Sequence, residues 1–134
     1  MVSQKTTFSC VLGSPFTCVE TTLTSESGSD LTLAAGLTAF GDETILKETD
    51  GVLLMSEILP GPVKLHSMLV TDPSRKARRA DAGADRLLLM DVRSGETVRY
   101  YFSAFSNLTN RVGVWHKRFS VTTWEEIEKY HHYD

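Results

Sequence analysis

The stretch "DLTLAAGLTAF", residues 30 to 40, repeats with a period of two. Leu31, Leu33, Ala35, Leu37 and Ala39 fall on one side, and Thr32, Ala34, Gly36, Thr38 and Phe40 on the other. Only an extended strand sends successive side chains to opposite faces, so this segment reads as β and not as helix. The same reading extends along the chain. Strands are expected over 6–12, 16–26, 30–40, 43–48, 51–59, 63–71 and 85–92, with 97–105 and 111–121 as a final hairpin. Turn residues separate them, notably "PGP" at 60 to 62 and "RSGE" at 93 to 96.

So many short strands without helices between them predict an all-β fold. A single antiparallel meander of about eight strands is expected to close into a small barrel, because an open sheet leaves its edges exposed. The 134 residues suit one domain spanning 1–134. The C-terminal "TTWEEIEKYHHYD" is the exception to the β pattern. Thr122 and Glu125 have capping-box spacing, and Trp124, Ile127 and His131 recur on one helical side. A short helix packed on the barrel through Trp124 is expected. Residues 72–84 have only alanines as apolar residues and read as a loop or one short surface helix.

The aromatic stretch "YYFSAFSNLTNRVGVWHKRF" carries the functional argument. Val98, Tyr100, Phe102 and Ala104 alternate with Tyr101, Ser103 and Phe105, so both faces hold large rings. A sheet with one face in water shows polar residues there. Both faces are therefore expected to meet something apolar: the core on one side, and a helix, a subunit or a ligand on the other. Tyr100, Phe102, Trp115 and His116 are the expected lining of an aromatic cavity. His66 and Tyr101 are the expected catalytic or orienting groups, since imidazole titrates near neutral pH. Asp91 shares a side with Leu87 and Leu89 and is expected to point inward.

A second set of residues points outward. Segment 74–82 nets +3 in a chain that nets −3, which leaves −6 for the rest. Arg75, Lys76, Arg78 and Arg79 are the expected contacts for phosphate, an anionic membrane surface or an acidic protein partner. They lack interleaved aromatics, so single-stranded nucleic acid is not indicated. Cys10 and Cys18 flank a turn at Gly13–Pro15, which would set the two thiols opposite each other; reduced thiols are favoured over a cross-strand disulfide. No cofactor and no metal site is expected, because "HH" at 131 and 132 points in two directions and no other ligand pattern occurs. No run is long and apolar enough for a membrane helix, and "MVSQKTTFSC" has no secretory h-region, so a cytoplasmic protein is expected.

Two functions follow. The first is a barrel binding a small apolar molecule, with isomerase or cyclase activity as its catalytic form. In shape it is similar to calycin-like barrels, and the terminal helix is similar to that of the pleckstrin-homology shape, although no residue motif carries either comparison. The second is a non-enzymatic interaction module that uses an aromatic sheet face and the basic loop 75–79. A homo-oligomer fits both.

Overall fold

The computed structural model describes residues 1–12, 14–40, 42–48, 51–59, 61, 63–106 and 123–131. Among these residues nine strands follow in order: β1 (Val2–Cys10), β2 (Thr17–Ser25), β3 (Leu31–Thr38), β4 (Asp42–Lys47), β5 (Val52–Leu59), β6 (Val63–Thr71), β7 (Arg78–Ala82), β8 (Asp85–Val92) and β9 (Thr97–Ser106). Helix α1 spans Trp124–His131. All strand pairs are antiparallel.

The strands form two sheets, ordered β1-β2-β9-β6-β5-β4 and β3-β8-β7, and no closed barrel is found among the described residues. The expected meander is corrected in the same way. The chain leaves the large sheet after β2 for β3, returns for β4, leaves again after β6 and returns for β9. These crossings stack one sheet on the other. Leu33 and Ala35 of β3 and Leu88, Met90 and Val92 of β8 meet Leu53, Leu69 and Val98 of the large sheet, all buried. Each Leu, Val or Met side chain among them contributes about 2 kcal/mol by leaving water.

The large sheet is covered on its other face too. Phe16, Cys18, Val52, Leu54, Met68, Val70 and Tyr101 form a second core with Ile127 of α1, and Trp124 packs against it. The two faces of β9 thus serve two cores. Val98, Tyr100 and Phe102 turn to the small sheet, while Tyr101 turns to the helix. This is why that strand is apolar on both sides.

Several local expectations are revised. β9 pairs with β2 over 97–102 and with β6 over 100–106, so it is a central strand; the second arm of the expected terminal hairpin, residues 111–121, lies outside the described residues. Segment 72–84 holds a 3-10 turn at Pro73–Arg75 and then β7, paired with β8. Its polarity suits an edge strand on the outside of the sandwich. In β8 the inward residues are Leu88, Met90 and Val92, so Asp91 faces water and pairs with Arg78 at 3.1 Å. Four consecutive apolar residues, Leu87 to Met90, leave the phase of a strand undetermined, so alternation alone does not place Asp91. Cys10 stands opposite Thr17 and Cys18 opposite Ser9, so the two free thiols point to opposite faces. The turn is longer than three residues, which shifts the register by one. The helix cap is Thr123, whose Oγ1 accepts from Glu126 N at 3.2 Å, one residue later than expected.

Candidate functional site

His66 and Tyr101, the two expected catalytic or orienting groups, lie on one face of the large sheet. His66 is buried on the helix face of β6, and Tyr101 is buried on the same face of β9. Tyr101 stands opposite Val70, four residues from His66 along β6. At 3.3 Å per residue the two are about 13 Å apart along the sheet.

Tyr101 has another assignment. Its hydroxyl donates to Oε2 of Glu128 on α1. Arg99, on the same face, donates through Nη1 to both oxygens of Glu128, at 3.0 and 3.2 Å. The Trp124 ring lies 5.1 Å from the Tyr101 ring, tilted by 56°. The helix is therefore docked by one carboxylate held by two donors and by one aromatic pair. Glu128 and Arg99 were missed at the sequence level, since a glutamate on a short helix reads as solvated.

Burial, and secondarily the neighbouring Glu128 carboxylate, pushes the Tyr101 hydroxyl well above its ordinary value of 10.0. The neutral form is thus favoured in the folded state. Its contribution to stability is complete below the unfolded pKa near 10 and is lost as pH rises beyond it. Urea midpoints measured from neutral pH to about pH 11 are expected to fall more steeply above pH 10 for the native chain than for Tyr101→Phe. Equal slopes would remove this assignment.

The basic run is consumed internally. Arg75 bonds Glu96 at 2.9 Å, Arg78 holds Asp91, and Arg79 bonds Glu48 and Asp81, each at 3.1 Å. The Arg75 contact, with the Arg93 backbone N–H, holds the Glu96 carboxyl below its usual range. Lys76 is exposed, in a left-handed turn at φ 51°, and makes no ion pair among the described residues. Arg86 of β8 grips Glu43 of β4, its Nε 2.9 and 3.0 Å from the two oxygens, and so ties the sheets together. Glu57 stands opposite Glu43 and is buried; Oε2 accepts from Phe40 N at 2.6 Å, while Oε1 has no partner among the described residues.

Tyr100 and Phe102 are half-buried against the inter-sheet core. Burial raises the Tyr100 pKa, opposed by a hydrogen bond with Thr21. Trp115 and His116 lie outside the described residues. The row from Tyr100 continues outward through Val19 to Phe8 of β1, which is 65% exposed. The small sheet does not cover that ring.

β1 is the outer strand of the large sheet. It pairs with β2 along all nine residues without a bulge, and every residue except Thr6 is exposed. Its outward backbone groups follow from one bond. Met1 O accepts from Glu26 N at 3.2 Å, so odd-numbered residues of this segment turn their amides and carbonyls toward β2. Gly95 N donating to Leu23 O agrees, since odd residues of β2 must then face β9. The edge of β1 away from β2, which pairs with no other strand among the described residues, therefore presents the N–H and C=O of Val2, Gln4, Thr6, Phe8 and Cys10. On the helix side of the same strands, Lys5, Thr7, Glu20, Thr22 and Thr97 line a shallow polar depression of about 170 Å³.

Among the described residues no cluster of three or more His, Cys, Asp or Glu side chains is placed to hold a metal, and no helix is long and apolar enough to cross a membrane. Compared with protein-family models, curated proteins and solved structures, the chain matches none.

Proposed function

We propose that this chain is a non-enzymatic interaction module that docks a protein along the β1 edge of its large sheet. The observation that carries the reading is the edge itself: nine regular residues, paired on one side only among the described residues, with Val2 and Phe8 more than half exposed. Such a strand binds an extended segment through main-chain hydrogen bonds, with alternate side chains adding specificity. Phe8, backed by half-buried Tyr100 and Phe102, supplies the aromatic face.

Two further observations favour this reading over an apolar-ligand barrel. The space between the sheets at Leu53, Leu69, Leu88 and Met90 is filled by their own side chains. The Tyr101 hydroxyl donates to Glu128 of the helix and so serves to dock it. The loop 75–79 is left out of the docking surface, because three of its four cations are already held by carboxylates.

Amide exchange of isotopically labelled protein tests the reading. In dilute buffer the outward amides of Gln4, Thr6 and Phe8 are expected to exchange freely. In concentrated extract from the source cells they are expected to slow by about tenfold or more. Saturable one-to-one quenching of tryptophan by an apolar probe, lost in Tyr100→Ala while the β1 amides stay unprotected, would restore the ligand-binding reading instead.

A further inference from the structure

Resting on that module reading, we infer that the partner on the β1 edge is a second copy of this chain, paired antiparallel about a twofold axis at Thr6. The outward groups belong to even-numbered residues, so hydrogen-bonded pairing must set even against even. Among such registers, the one centred on Thr6 uses the whole strand. Thr6 then meets Thr6 of the second copy, Gln4 meets Phe8, and Val2 meets Cys10. About ten main-chain hydrogen bonds close a continuous twelve-stranded sheet.

The side chains agree with this register on both faces. On the face toward the small sheet, exposed Phe8 gains the stem of the other copy's Gln4, and Val2 covers the Cys10 thiol. On the helix side, Lys5 stands opposite Thr7 of the second copy. Thr7 has Glu20 as its neighbour on β2. Each ammonium therefore approaches the other copy's Glu20 across a single strand, and the two polar depressions join. The charges are complementary twice over, once for each half of the dimer.

Other edges are less suited to continuous pairing. β4 breaks register between Ile45 and Lys47, β7 has only five residues, and β3 carries Gly36 within its length. β1 has neither proline nor bulge, and Lys5 is its single charged residue. Edges left this plain in a monomer invite association.

Sedimentation of the purified chain across micromolar to near-millimolar concentrations tests the inference. A monomer–dimer equilibrium is expected. Gln4→Pro and Phe8→Pro each remove an outward N–H but leave the β1–β2 ladder intact, since their nitrogens face away from β2. Each is expected to weaken the dimer by about a hundredfold while the thermal midpoint changes little. Lys5→Glu is expected to weaken it by repulsion from Glu20, and the double variant Lys5→Glu with Glu20→Lys to restore it, which fixes the register. If both proline variants lose their fold, the charge swap decides. A monomer at every concentration overturns self-pairing but leaves the module reading, which stands on protection in extract. A dimer indifferent to the prolines and to the charge swap also overturns it.

Discussion

Glu128→Ala is expected to release the C-terminal helix and to expose the thiol of Cys18. The carboxylate is the shared acceptor of Arg99 and Tyr101, and all three side chains are largely enclosed. Its removal leaves a guanidinium and a phenol without the acceptor they were buried to meet. Losing hydrogen bonds to a charged group in such a place costs about 2 kcal/mol. An eight-residue helix has no stability of its own to oppose that loss, because isolated helices of this length do not persist in water. Ile127 and Trp124 then remain as its only described apolar anchors.

Cys18 reports the event. It lies in the core beneath the helix and is 4% exposed, whereas Cys10 is on the surface. Burial also raises the Cys18 pKa, so its thiolate is scarce. A thiol reagent in the native chain is expected to modify Cys10 quickly and Cys18 slowly. In Glu128→Ala the slow phase should accelerate by about thirtyfold, the equivalent of about 2 kcal/mol. Glu128→Gln, which keeps an acceptor oxygen, should accelerate it less. If Cys18 reacts at the native rate in Glu128→Ala, the carboxylate does not dock the helix.

Gly51→Ala is expected to be the most destabilising single-methyl substitution at a described glycine. Gly51 has φ +78°, where a side chain is strained, and its Cβ would lie 2.6 Å from Thr71 Oγ1 and 2.8 Å from Thr71 O. The same contact holds the β5–β6 pair closed. Thr71 N donates to Gly51 O at 2.8 Å, and Thr71 Oγ1 does so at 3.0 Å. A methyl group must push this backbone apart. The left-handed conformation costs roughly 1–2 kcal/mol, and the displaced hydrogen bonds bring the total to about 3 kcal/mol. Gly28 supplies the control, with φ +73° and nothing within 4 Å of an added Cβ. Gly28→Ala should cost only the conformational part, about 1 kcal/mol. Denaturant midpoints of the two variants isolate the steric component. Equal losses would mean that Thr71 yields without cost.

The period of two was legible wherever one face is apolar and the other polar. β3 shows it, and its core residues Leu33 and Ala35 are those the alternation selects. The two-faced character of β9 was legible too, as was the short helix bearing Trp124. The division into two sheets was not. Local alternation says which face a residue takes, but not which strand lies beside it, and β9 sits between β2 and β6 through contacts remote in sequence. "LLLM" in β8 carries no phase, so Asp91 was turned the wrong way. The cysteine register depended on the number of turn residues, and a change of one reverses the face. Of the candidate surface, Phe8 was read as an ordinary strand residue, because exposure at an edge depends on sheet order. Arg99 with Glu128 joins a strand to a distant helix, a pairing that no spacing in the sequence encodes.

The place of β9 has a consequence for how the molecule is made. The large sheet consists of a β1–β2 hairpin and a β4–β5–β6 meander, and among the described residues only β9 joins them. As the chain leaves the ribosome, both halves must wait, with open edges, until residues 97–106 arrive. Closure of the sheet is then a long-range event and belongs with the slow, millisecond-to-second folding of β-rich topologies. Chains halted before that strand would hold two unpaired sheet fragments, the form of nascent β protein most prone to aggregate.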